Sequence, residues 1–183
     1  KQVSSSAANT GTKITIKRLF FPTPARLKHL KNSATEFGHI YKEFVSFALA
    51  NPQTSFEIWK DGKQYKHFPL QDEKSRTLQI LGKKEAELVE ISADFSGMKV
   101  FGFVVQPGLC ARSRKQQFFF VNGRRIEDFR LAHAVREAYV QSAGIEKHLH
   151  PVFVLFVELD PILVDVNVHP RKLEVKFSEP SDV

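Results

Sequence analysis

The most specific pattern in this chain is Val164-Asp165-Val166-Asn167-Val168-His169-Pro170-Arg171-Lys172-Leu173-Glu174-Val175-Lys176-Phe177. Two short alternating patterns flank a His-Pro break, and a basic pair follows it directly. In an extended chain Val164, Val166 and Val168 share one face, which leaves Asp165, Asn167 and His169 on the other. A buried apolar face would hold that polar face in register and aim it outward. Pro170 fixes φ at the break and restricts the turn that joins the two strands.

Outward from this block, 183 residues suffice for a sizeable core, as one domain or as one plus part of another. Seventeen Phe against one Trp and three Tyr predict a core built largely from Phe. The single cysteine, Cys110, excludes an internal disulfide framework and a multi-cysteine zinc site, and it fits a reducing compartment. No stretch approaches ~18 uninterrupted apolar residues, so no membrane span is expected. The chain starts without a methionine, a signal peptide or a targeting sequence, and is expected to be a piece of a longer protein. Its charge is uneven. Residues 99–136 hold eight Lys or Arg against Glu127 and Asp128, whereas residues 137–183 hold four basic against eight acidic residues. A basic stretch beside an acidic one predicts a directed electrostatic surface, against the plainer reading of a well-solvated one.

Along the chain, residues 1–10 read as a polar loop, and Ile14 and Ile16 alternate with lysines in a strand pattern over 11–20. Thr23-Pro24 predicts a cap for a helix over 25–31. Ser33 to Glu36 has capping-box spacing before the stripe Phe37, Ile40, Phe44, Phe47, Ala48. Asp61-Gly62 predicts a hairpin between strands over 55–60 and 63–68. A polar linker follows over 69–75, with a domain boundary near 72 and a short helix over 76–81. A second hairpin is expected over 87–106, then a loop carrying Arg112, Arg114 and Lys115. The run 116–121 enters an Asn122-Gly123 turn, a helix is expected over 129–142, and a buried strand over 152–159. Local strand pairs followed by a strand–helix alternation give an α+β or α/β class.

Three segments, in order, resemble the MutL family of DNA mismatch-repair proteins. Gly11-Thr12-Lys13-Ile14-Thr15-Ile16 with Leu19-Phe20 and Pro24-Ala25-Arg26 resembles the end of that family's GHKL ATPase domain. Phe120-Val121-Asn122-Gly123-Arg124-Arg125 resembles its Asn-Gly-Arg turn. The terminal block, with Asp165 to Pro170 and Lys172, resembles the signature that closes the N-terminal ATPase region. Pro22 departs from the family's usual Asn, which removes a side-chain hydrogen bonder and stiffens the loop. The resemblance implies an α+β fold. Residues 1–71 would be the C-terminal part of a GHKL ATPase α/β sandwich. Residues 72–183 would be a transducer domain, a ribosomal-protein-like mixed sheet with helices on one face and a left-handed βαβ crossover, opposite to the general handedness rule.

The resemblance further implies that Lys172 reaches the terminal phosphate of ATP, and that Thr12 supports the adenine-binding network. A γ-phosphate contact needs a long charged donor on a rigid support, which a Pro-locked turn between strands provides. His169 is either catalytic or hydrogen-bonded to fix the turn. ATP and Mg2+ would be cofactors of the intact protein. None is expected in this chain by itself, because the family's Asn- and Glu-bearing helix, Asp-x-Gly-x-Gly turn and Gly-rich lid do not occur in it. Arg112, Arg114, Lys115, Arg124, Arg125 and Arg130, with Arg136, form the candidate DNA surface, since phosphate binding needs several cations on one face. Arg130 and Arg136, six residues apart on a helix, point to different faces, so only part of the set can converge. Implied partners are DNA, a mismatch-recognition protein and a second MutL-type subunit, identical or not. The setting would be cytoplasmic in a bacterium or nuclear in a eukaryote. Two rivals stay open: a nucleic-acid-binding module without nucleotide chemistry, and the transducer of a type II topoisomerase subunit.

Overall fold

The computed structural model describes residues 10–95, 97–165 and 176–177. Contacts divide the chain into two compact units, Lys1–Ile40 and Tyr41–Val183.

In the first unit α1 (Pro24–His29) has Pro24 in its first turn. Thr23 occupies the N-cap position, but its hydroxyl donates back to the Phe20 carbonyl at 3.3 Å instead of capping. The strand expected over 11–20 does not form, and Ile14 and Ile16 are 80 % and 74 % exposed. Alternation specifies a strand only when a neighbour supplies the hydrogen bonds, and no described strand pairs there. The start of α2 (Ser33–Ala50) is capped by Asn32, whose Oδ1 accepts from Thr35 N at 2.9 Å. The expected capping box is therefore shifted. Glu36 reaches back to Lys31 N at 2.7 Å.

In the second unit β1 (Phe56–Lys60) and β2 (Lys63–Phe68) form the Asp61-Gly62 hairpin, with both turn residues at positive φ. The helix expected from residue 76 starts three residues earlier. α3 (Glu73–Leu81) is capped by Asp72, which accepts from Ser75 N at 2.8 Å. Arg76 is fully buried and donates to the carbonyls of Ala48, Pro52, Thr54 and Pro69 and to Gln71 Oε1. One guanidinium thus ties backbone before residue 72 to a helix after it.

The main sheet contains β3 (Leu88–Phe95), β4 (Met98–Val105), β5 (Gln117–Val121), β6 (Arg124–Ile126) and β7 (Phe153–Glu158) in the order β3-β4-β7-β5-β6. Every pairing is antiparallel except β5 with β7, which run parallel and are linked through β6 and α4 (Phe129–Ala143). The sheet is mixed and the fold is α+β, as expected.

Four consecutive apolar residues in β5 show how both sheet faces are buried. Phe118 and Phe120 pack with Val105 and Val154 against Val45, Ala48 and Leu49 of α2, Phe68 of β2 and Leu81 of α3. Phe119 and Val121 point the other way, with Phe153, Leu155 and Val157, and meet Leu131, Ala132 and Val135 of α4. Each buried Phe is worth roughly 1.5–3 kcal/mol. Helices therefore cover both faces, not one. The α2 stripe is also rotated from the expected one: Phe47 is 61 % and Ile40 56 % exposed, while Val45, Ala48 and Leu49 are buried. Gly102 on β4 has φ +135°, and a Cβ there would lie 2.2 Å from the Val154 carbonyl oxygen, so only glycine fits between these strands.

After β7 the chain breaks at Asp160-Pro161 and enters β8 (Val164–Asp165), which pairs antiparallel with β9 (Lys176–Phe177).

Candidate functional site

Asn122 and Gly123 close the β5–β6 hairpin with φ of 47° and 74°, the double positive φ of a tight hairpin turn. Val121 faces Arg124 across the hairpin and Phe120 faces Arg125. Because side chains alternate along β6, the two arginines separate. Arg124 is exposed and makes no hydrogen bond or ion pair among the described residues. The Arg125 side chain is 8 % exposed and donates to Ser46 Oγ at 2.7 Å and Glu127 Oε1 at 2.9 Å. Its guanidinium lies 5.4 Å from the Phe118 ring centre. Burial lowers its pKa, and Glu127 and Glu43 oppose the shift. Arg125, expected on the DNA-facing surface, is instead an internal tie between α2 and the sheet. Strand alternation is the reason, and Arg-Arg spacing alone does not reveal which of the pair turns inward.

The turn is anchored at its first residue. Asn122 Nδ2 donates to the Leu159 carbonyl at 3.0 Å, Oδ1 accepts from Leu159 N at 3.1 Å, and the Asn122 backbone N–H donates to the Val157 carbonyl at 2.9 Å. Leu159 immediately precedes the Asp160-Pro161 break that leads into β8. Asn122 was legible as a turn former but not as the partner of a residue 37 positions on.

Arg130 stands at the start of α4, where Asp128 caps the helix by accepting from Arg130 N at 2.7 Å. The Arg130 guanidinium grips the same carboxylate at 2.6 and 3.2 Å. That hydrogen bonding holds the Asp128 carboxyl below its ordinary range, although burial acts against it. Arg130 is half-exposed, with much of its charge balanced locally.

Arg112, Arg114 and Lys115 are exposed in the loop before β5 and have no partner among the described residues. The loop is held by a backbone bridge between Ala111 and His150, at 2.8 Å in both directions. Arg114 therefore precedes β5, whereas Arg124 follows it. At about 3.3 Å per residue, that five-residue strand separates them by some 17 Å. The basic set divides into two groups and does not converge on one point.

Arg114 and Arg136 do border one and the same hollow. Together with Gln117, Phe129, His133 and His150 they line a cavity of about 330 Å³. Arg136 donates to the Lys147 carbonyl at 3.2 Å and contacts Glu137 at 3.4 Å. The Nδ1 of His150 is buried without a hydrogen-bond partner among the described residues. Burial, followed by Arg114, Arg136 and His148, lowers the pKa of His150. The histidines and Phe129 carried no signal in the sequence, since a lone His or Phe on a helix reads as ordinary surface or core.

Thr12 is exposed and makes no hydrogen bond among the described residues. Lys172, His169, Val166 and Val168 lie outside the described residues. The described residues contain no group of three or more His, Cys, Asp or Glu placed to hold a metal ion, and no helix long and apolar enough to cross a membrane.

Comparison with known proteins agrees with this architecture. Residues 77–183 match the family described as DNA mismatch repair protein, C-terminal domain. Proteins named DNA mismatch repair protein MutL from Chlorobaculum tepidum and Xylella fastidiosa (strain 9a5c) are each 38 % identical to this chain. The alignments extend over 174 and 181 residues, covering 94 % and 97 % of the chain but 28 % and 29 % of those proteins. The chain thus spans less than a third of the length of the curated relatives it matches. Among solved structures, the Aquifex aeolicus MutL ATPase domain complexed with ADP is 25 % identical with a TM-score of 0.62, over 80 % of this chain and 52 % of that one. The N-terminal domain of a DNA repair protein, 21 % identical with a TM-score of 0.68 over 87 % of this chain and 54 % of that one, shares the fold.

Proposed function

The chain belongs to the MutL family of DNA mismatch repair proteins, and from that premise we propose that it carries the part of such a protein that relays nucleotide state to DNA. In the intact protein ATP binding drives dimerisation with an identical or a related MutL-type subunit. Hydrolysis releases the pair, and the cycle couples a mismatch-recognition protein to strand incision and removal. Residues 1–71 act as the end of the ATPase domain, with Thr12 in its adenine network, and residues 72–183 act as the transducer. Lys172 contacts the terminal phosphate of ATP, held with Mg2+ by the intact protein. The matched MutL relatives are bacterial, which favours a cytoplasmic setting.

The observation that supports this reading most is the β8–β9 ladder, Val164 with Phe177 and Asp165 with Lys176. It brings together the two ends of the segment containing His169, Pro170 and Lys172, as a turn presenting one lysine requires. Exposed and without a partner among the described residues, Arg112, Arg114, Lys115 and Arg124 supply cations for non-specific contact with DNA phosphates. Arg130 contributes less because Asp128 already holds it.

Sedimentation of the full-length protein tests the proposal. A monomer–dimer shift with a non-hydrolysable ATP analogue, absent with ADP and absent in Lys172→Met, is expected. Dimerisation that is indifferent to nucleotide would contradict it.

A further inference from the structure

The cavity between α4 and the loop before β5 shares only Arg114 with the DNA contacts proposed above. Its lining combines two guanidinium groups, Arg114 and Arg136, with two imidazoles, His133 and His150, and contains no carboxylate. Glu137 touches Arg136 at 3.4 Å and Glu146 pairs with His148 at 3.3 Å, but neither lines the cavity. Arg114 has no partner within the described residues. Like charges gathered on one concave wall repel one another, and an anion placed among them relieves that penalty. His150 adds a buried nitrogen without a hydrogen-bond partner among the described residues, the kind of group that natural folds rarely leave unpaired.

Size and shape narrow the anion. A volume of about 330 Å³ falls at the lower end of small-molecule sites and exceeds what a bare phosphate fills. Phe129, at the mouth of the α4 helix start, is 77 % exposed and also lines the cavity. An aromatic face beside a guanidinium pair suits a planar base attached to a phosphate, since every base has a π-face and arginine forks match phosphate oxygens. We propose that this cavity binds one nucleotide through its phosphate, with Arg114 and Arg136 on the phosphate and Phe129 against the base. The nucleotide is either free or an unstacked member of a DNA strand. The second source rests on the DNA-binding reading above, and the first does not.

Titration of the 183-residue chain with dAMP, inorganic phosphate and a short single-stranded oligonucleotide separates the cases. Binding of dAMP should saturate, be at least tenfold tighter than inorganic phosphate, and shift the His133 and His150 ring resonances. Arg114→Gln with Arg136→Gln should weaken dAMP binding about tenfold or more, while Lys63→Gln on the β1–β2 hairpin, outside the cavity, should leave it unchanged. Competition between the oligonucleotide and dAMP would identify a strand as the source. Saturable dAMP binding without competition would identify a free nucleotide and leave the cavity assignment standing, even where the DNA reading fails. The proposal is overturned if dAMP at millimolar concentration leaves both imidazoles of the parent chain unshifted. That readout needs no variant to fold. Undiminished dAMP binding by a natively folded double variant would overturn it equally.

Discussion

The Asn122 side chain closes both backbone hydrogen bonds of Leu159, donating to its carbonyl at 3.0 Å and accepting from its N–H at 3.1 Å. The β5–β6 turn and the exit of β7 are thereby one structural joint. On one side of it stands Arg124, and on the other the chain leaves for β8 and the segment that carries Lys172. Asn122→Ala loses both bonds and places a Cβ-bearing residue without Asn's tolerance at φ 47°. A loss of about 1–3 kcal/mol is expected in denaturant unfolding. Asn122→Gly loses the bonds but tolerates the φ, so it should lie between the two. Equal stability of all three would show that the joint carries no energy.

Arg124 and Arg125 should behave as opposites. Arg125→Met removes a buried, hydrogen-bonded charge and leaves Ser46 and Glu127 without it, so a loss of roughly 2–4 kcal/mol is expected. Arg124→Glu should stay within about 0.5 kcal/mol of the parent in stability. It should weaken DNA binding for all sequences alike and lower the log–log salt slope by about one. Paired melting and salt-titration series would check this, and the reverse assignment would place the DNA surface on the other side of β6.

Asp128 predicts a particular acid response. Its folded pKa is lowered, chiefly by the Arg130 hydrogen bond. The carboxylate's stabilisation is therefore present above its unfolded pKa, near 3.9, and is lost as pH falls through the lower folded value. Asp128→Asn keeps a good helix cap but not the charge. The variant should be less stable than the parent at pH 7, and the gap should close on acidification below about pH 4. A gap that is constant with pH would make the Asp128–Arg130 pair energetically silent.

Local signals carried much of the fold. Asp61-Gly62 and Asn122-Gly123 were readable as hairpin turns because few residues accept their φ values. Gly144, just past the helix expected over 129–142, adopts the left-handed conformation of a C-cap at φ 61°. What the sequence hid depends on distant partners. Arg76 looks like one more surface arginine until five oxygen acceptors from 5 to 28 residues away surround it. Phe47 looks like part of the α2 stripe, but packing selects the face through Val45, Ala48 and Leu49. At the candidate site, charge counting found Arg114 and Arg136 as cations. Only folding brings them to one cavity with His133 and His150.

In the proposed function Lys172 carries one positive charge to the terminal phosphate of ATP in the intact protein. Steady-state ATP hydrolysis by full-length Lys172→Met tests it most directly, since methionine keeps the length and apolar stem but not the charge. Turnover should fall about a hundredfold, the loss typical of removing one preorganised charge-stabilising donor. The thermal midpoint should stay within about 2 °C of the parent, because a lysine that acts on the nucleotide contributes little to folding. Unchanged turnover with an unchanged melting temperature would contradict the claim.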